Sequence, residues 1–197
     1  MKNTLILLTL TVGLWVPAQA QRRTFGIKAG LGLTTWMCNS CFGAALNSVK
    51  PGPVLGMVAS FPLGQRLRLQ PELLYAQKGY QYRYTSFVHL DYLDLPLMLR
   101  YSPAASGVFL EAGPQVGWLP WPISFATSGS SLTLRSYDLG YAGGVGYQLH
   151  NGWSASLRYN GGLAPLYIEE RDFYQNPIPR VRNAALQLAV THLFARK

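Results

Sequence analysis

Eight stretches of this chain alternate, residue by residue, between large apolar side chains and small or polar ones. A period of two is the pleat of a β-strand. The stretches run over residues 24–35, 53–63, 66–79, 91–102, 107–118, 136–149, 152–163 and 183–194. In the third, Leu67, Leu69, Leu73 and Tyr75 oppose Arg68, Gln70 and Glu72; in the fourth, Leu93, Leu95, Leu97, Leu99 and Tyr101 oppose Asp94, Met98 and Arg100. The sixth sets Tyr137, Leu139, Tyr141, Val145 and Tyr147 against Asp138, Gly140, Ala142, Gly144 and Gly146. Each stretch is about as long as the ten residues that a tilted strand needs to cross a bilayer.

Which face points inward decides the class. A soluble ligand-binding barrel turns its apolar face in. Here the apolar face is bulky and the other is small or charged, which suits the narrow lumen of eight strands. Tyr and Trp stand near the ends of the apolar faces, as in the girdles of membrane barrels. The connections agree. Links after the first, third, fifth and seventh stretches are long (36–52, 80–90, 119–135 and 164–182), and those between are short: Gly64-Gln65, Pro103 to Ser106, and His150-Asn151. Outer-membrane barrels pair long extracellular loops with short periplasmic turns, and both termini are periplasmic. The fold expected is all-β: an eight-stranded antiparallel up-and-down transmembrane β-barrel.

The N-terminus supplies the route. Lys2, an apolar run from Leu5 to Val16, and Ala18-Gln19-Ala20 describe a secretory signal peptide cut after Ala20, leaving residues 21–197 as the barrel domain. The run is too short for a membrane helix, and no apolar run of 18 follows it. Hydrophobic residues make up 49% and charged ones 13%, about half the usual charged share, so a soluble exported domain is disfavoured. The net charge of +9 is scattered, not clustered. In an exported chain it reads as contact with anionic lipid or lipopolysaccharide, not nucleic acid.

Phe25-Gly26-Ile27-Lys28-Ala29-Gly30-Leu31, the run Leu69 to Gly79 (LQPELLYAQKG), the run Tyr92 to Tyr101 (YLDLPLMLRY) and Leu110-Glu111-Ala112-Gly113-Pro114 resemble the PorT-like outer-membrane β-barrel proteins of Bacteroidota. The likeness covers nearly the whole mature chain. It implies the barrel fold and brings no catalytic residues. One founding member is linked to secretion through the outer membrane, a role that does not transfer to the family at large. Pro71, Pro96 and Pro114 fall inside predicted strands, where proline deletes a ladder hydrogen bond. The resemblance places prolines there too and implies local bulges.

The inward face carries Glu72, Asp94, Glu111 and Asp138 against Lys28, Arg68, Lys78, Arg100 and Arg158. Paired carboxylates can act as general acid and base. The favoured reading is a structural salt-bridge network that fills the lumen, because an unpaired buried charge costs several kcal/mol. The three histidines, His89, His150 and His192, are placed in a loop, a turn and a strand end, which disfavours a catalytic triad or a histidine metal site. Cys38 and Cys41 form a C-x-x-C in the first long link, read as a local disulfide of an exported protein, with free or redox-active thiols as the alternative. Gly140 to Gly146 (GYAGGVG) has no strand-to-helix context for a phosphate loop and reads as small lumen residues.

The expectation is a non-enzymatic, cofactor-free, monomeric outer-membrane barrel with a structural or binding role. Its extracellular loops would meet lipopolysaccharide or an envelope or extracellular protein partner, through Trp121, Phe125, Phe173 and Tyr174 beside Arg135, Arg171, Arg180 and Arg182. The alternatives are an accessory role in secretion across the outer membrane and, less favoured, a membrane-embedded enzyme or small pore.

Overall fold

A computed structural model describes residues 23–38, 49–82, 86–103, 106–122, 124–127, 130–168 and 180–194. The signal peptide and its cleavage site, Cys41, Arg171, Phe173 and Tyr174 lie outside the described residues.

Among the described residues there are ten strands: β1 (Thr24–Cys38), β2 (Lys50–Pro62), β3 (Leu67–Tyr82), β4 (Ser86–Tyr101), β5 (Val108–Trp118), β6 (Ser124–Thr127), β7 (Ser130–Thr133), β8 (Tyr137–Gln148), β9 (Trp153–Gly162) and β10 (Val181–Phe194). Eight of them close into one antiparallel barrel in the order β1-β10-β9-β8-β5-β4-β3-β2, each strand beside its chain neighbour except at β5–β8. There the small hairpin β6–β7 interrupts the meander as a separate two-stranded sheet. That hairpin was not anticipated. It occupies the long link after β5.

The pairing fixes the barrel's shape. A circuit perpendicular to the strands runs Tyr147–Ala155–Val190–Ala29–Leu55–Tyr75–Leu93–Trp118–Tyr137. It returns to β8 ten residues away from where it began. Ten residues of about 3.3 Å, spread over eight strands spaced about 4.8 Å apart, tilt the strands by about 40° to the axis.

The prolines do not make bulges. On both sides of Pro71, Pro96 and Pro114 the register is unchanged, so no extra residue is inserted. Two residue pairs drop out of one flanking ladder at each site, and each proline keeps its partner on the other side: Leu97, Gln115 and Tyr141 respectively. A proline lacks one N–H, which weakens one ladder and leaves the strand's course intact.

The outward face is apolar. Leu31 is 63% exposed and Leu188 62%, fractions that suit lipid and not water. Aromatic rings bound this band at both ends. Phe25, Tyr101, Tyr147, Trp153 and Phe194 stand toward the short-turn end, and Tyr75, Trp118, Tyr137, Tyr141 and Tyr159 toward the long-loop end.

One expected long link is instead a hairpin that continues past the membrane band. β3 and β4 run on to Tyr82 and Ser86, leaving residues 83–85 between them where the sequence suggested a loop over 80–90. His89 is therefore in β4, not in a loop. The alternation inverts along this extension. Gln77, His89 and Asp91 face outward, whereas Leu90 and Tyr92 are buried inward. Beyond the bilayer the outer surface meets water, so the apolar face turns to the barrel mouth. Gly79 lies in this extension with φ +134, and its Cα faces the Val88 carbonyl so closely that no Cβ would fit.

Candidate functional site: an ion-paired lumen under an apolar cap

The lumen holds two groups of charges, set by position along the strands. Nearer the short turns, Glu72 of β3 is the hub. Lys28 of β1 donates to it at 3.0 Å, Arg158 of β9 through two nitrogens at 2.8 and 3.0 Å, and the Gln70 amide at 2.7 Å. Arg158 also bridges to Glu111 of β5 at 2.8 Å, and Glu111 accepts from Arg100 of β4 at 3.2 Å. The Arg100 guanidinium lies 3.7 Å over the Phe109 ring. Five charged side chains from five strands thus form one connected network, each no more than 4% exposed. Each has an oppositely charged partner, and that is what permits their burial.

Nearer the loops, Lys78 of β3 donates to Asp94 of β4 at 2.8 Å and lies 3.8 Å from Asp138 of β8. Gln115 donates to Asp94 at 3.0 Å and Asn183 to Asp138 at 2.8 Å. The lysine also sits 4.5 Å over the Tyr92 ring. Beside this group Gly140, Asn160, Gly161, Gly162 and Ala184 line a small cavity with room for roughly one water. Both amide atoms of Asn160 and the Asp138 Oδ1 are buried there with no protein partner.

Of the nine residues expected in the lumen network, the structure brings eight together. Arg68 is the exception. It shares the inward face of β3 but lies at the strand's start, exposed at the short-turn mouth. Alternation reveals the face and not the depth. Lys50 was missed: it is 1% exposed and donates to the Gln77 side chain at 3.1 Å and the Lys78 carbonyl at 3.4 Å. The alternation starts the second stretch at residue 53, which leaves Lys50 in the preceding link, whereas β2 starts at Lys50. Pro51 and Pro53 point outward and pair with β1.

Above the charges lies an apolar cap. Leu90, Tyr92, Leu119, Leu134 and Leu166 form a buried cluster, with Trp36, Val88, Tyr167 and Val181 packed against it. The segments that build it are tied by main-chain bonds: Leu119 N–H to Ser136 O, Arg135 N–H to Leu166 O, Leu166 N–H to Val181 O and Ile168 N–H to Thr133 O. The links after β5 and β9 therefore fold back over the mouth. The sequence held one signal of this, the apolar residues inside otherwise polar links.

His89 faces outward near the loop end. His150 lies in a short helical turn at the opposite end, and His192 packs on Trp153 with ring centres 4.4 Å apart. Among the described residues no group of three or more His, Cys, Asp or Glu is placed to hold a metal ion. The disulfide reading of Cys38 and Cys41 falls on Cys41, outside the described residues.

Comparison with known proteins places this geometry. Residues 18–167 match the model of the outer membrane protein beta-barrel domain. The chain belongs to the outer membrane protein beta-barrel domain family. Its location is the outer membrane. Among solved structures, this family member resembles neisserial surface protein A (TM-score 0.51, 15% identity, covering 88% of this chain and 100% of that one). It also resembles Ail, the attachment invasion locus protein of Yersinia pestis (TM-score 0.50, 11% identity, covering 88% and 100%). At such identities the likeness speaks for the fold alone. No curated protein sequence matches significantly.

Proposed function

We propose that this family member is a non-enzymatic, monomeric outer-membrane barrel. Its task is performed by the surface at its long-loop end, which meets lipopolysaccharide and an extracellular or envelope protein partner. The observation that supports this reading is the lumen. Its charged side chains are held in ion pairs and hydrogen bonds and its outer mouth is covered by the apolar cap, so the interior acts as a support. Function then belongs to what the support presents. At the loop end Trp121 is 76% exposed, Arg180 is exposed, and Arg135 is oriented by the Tyr167 carbonyl at 3.0 Å and the Tyr137 hydroxyl at 3.2 Å. Aromatic and arginine side chains are the usual anchors of protein interfaces.

The test is loop trimming. Residues 123–132 and 169–179 are replaced by short turns, keeping Leu134 and Leu166 for the cap. The trimmed protein should still migrate as a closed barrel on an unheated gel while losing partner binding in co-purification. Retention of full binding by a trimmed, folded barrel would move the function to the lumen or the short turns.

A second reading is an accessory role in secretion, with membership of the PorT-like group. The runs Leu69 to Gly79 and Tyr92 to Tyr101 support it. Co-purification of secretion-machine components with the intact barrel would favour it over surface display.

A further inference from the structure

The two ends of this barrel differ in charge. The chain has eight acidic residues. Glu72, Asp94, Glu111 and Asp138 are in the lumen. Asp91 is exposed on the outer extension, where the Tyr75 hydroxyl donates to it at 2.7 Å, and Glu169, Glu170 and Asp172 come between β9 and β10 in the sequence. Among the described residues none belongs to the short-turn end. That end exposes Arg23, Arg66 and Arg68, and the sequence adds Arg22 just before β1 and Arg196 and Lys197 just after β10.

The basic residues also share one side. β10, β1, β2 and β3 are consecutive around the barrel, so the start of β1, the turn 63–66 and the start of β3 are neighbours. The other two short links, 102–107 and 149–152, contain no Lys, Arg, Asp or Glu. The arginines sit at the level of a membrane interface. Arg23 lies 5.9 Å over the Phe61 ring, and beside it Phe25 is 61% and Leu63 46% exposed. Apolar side chains at that level enter the acyl region, and the arginine stems carry their charge up to the headgroups.

From this juxtaposition we propose that the short-turn end carries a binding surface for anionic phospholipid headgroups of the periplasmic leaflet, formed by Arg23, Arg66 and Arg68. Guanidinium groups bind phosphate oxygens in paired, charge-assisted hydrogen bonds. The occupant is lipid because Arg23 and Arg66 stand on the rim of one side of the barrel beside the lipid-facing Phe25, Phe61 and Leu63, with Arg68 next to them at the mouth. The surface orients the barrel and selects its lipid neighbours, independently of what the loops bind.

The experiment is native mass spectrometry of the barrel released from bilayers of phosphatidylcholine mixed with phosphatidylglycerol. Three arginines at an anionic surface correspond to a preference on the order of 100-fold. The wild type should retain phosphatidylglycerol over phosphatidylcholine by at least about tenfold. The triple variant Arg23→Ser, Arg66→Ser, Arg68→Ser should lose that preference, and the corresponding triple lysine variant should keep most of it. If the serine variant does not fold, the wild type read in rising salt decides, because the preference must fall steeply. No preference in the wild type, an unchanged preference in the serine variant, or a salt-independent one overturns the proposal.

Discussion

Glu111→Leu is the sharpest test of the lumen's design. In the network near the short turns, three cations (Lys28, Arg100, Arg158) meet two carboxylates (Glu72, Glu111). The substitution leaves three cations with one carboxylate. Arg100 loses its ion-pair partner, and Arg158 keeps only Glu72. A pair near 3 Å at an effective dielectric of about 20 is worth about 5 kcal/mol gross. Breaking a buried pair by removing one partner costs about 3–5 kcal/mol net. Arg100→Leu should be much milder, about 1–2 kcal/mol, because Glu111 keeps Arg158 and the count becomes two against two. The double variant should be more stable than Glu111→Leu alone, with a coupling of about 1–3 kcal/mol. The assay is urea unfolding of the barrel in lipid vesicles, followed by tryptophan fluorescence and by the gel shift between unheated and boiled samples. Additive effects, or a loss below about 1 kcal/mol for Glu111→Leu, would refute the pairing argument.

Three other outcomes follow from the same structure. Gly79→Ala should cost about 1–3 kcal/mol in the same urea assay, because a Cβ there meets the Val88 carbonyl and the backbone is left-handed; an unchanged midpoint would show that the extension relaxes freely. Leu134→Ala, at a site with 0% exposure, should loosen the cap by about 2–5 kcal/mol, speeding tryptic cleavage at Arg135 while the barrel's gel shift persists. N-terminal sequencing of protein from the outer membrane should begin at Gln21, and a start at Met1 would remove the signal-peptide reading.

The barrel was legible because lipid outside and a narrow polar lumen inside impose opposite demands on successive residues. Leu95 and Leu97 beside Asp94 and Arg100 show it directly. Eight network residues followed from that parity alone. Features at the ends were not legible. Arg68 obeys the parity yet lies at the mouth, where water competes with any ion pair. Leu90 and Tyr92 break the apolar-out pattern because their strand has left the bilayer, and the rule that reads a membrane strand fails where the membrane stops. The cap depends on contacts between links far apart in sequence, such as Leu119 with Leu166, which no local pattern encodes. The prolines misled in another way. A missing donor suggested a distorted strand, whereas the barrel absorbs each gap in one ladder.

The seam between β1 and β10 also governs how the molecule forms. Its ladder runs from Phe25↔Phe194 to Cys38↔Val181, so it joins segments separated by almost the whole length of the chain. Closing so large a loop carries a high entropic cost, and topologies dominated by distant contacts fold slowly. The other seven ladders join strands that are successive in the meander and can zip from one hairpin to the next. Until the last strand arrives, β1 and β9 each present an open edge, a hazard for pairing with foreign strands. Lys28 and Arg158 flank that gap on β1 and β9, and both reach Glu72 on β3. Closing the seam therefore also encloses these two cations together with the carboxylate they share. A chain cut short before residue 181 is left with an open sheet, charged on the face it should enclose.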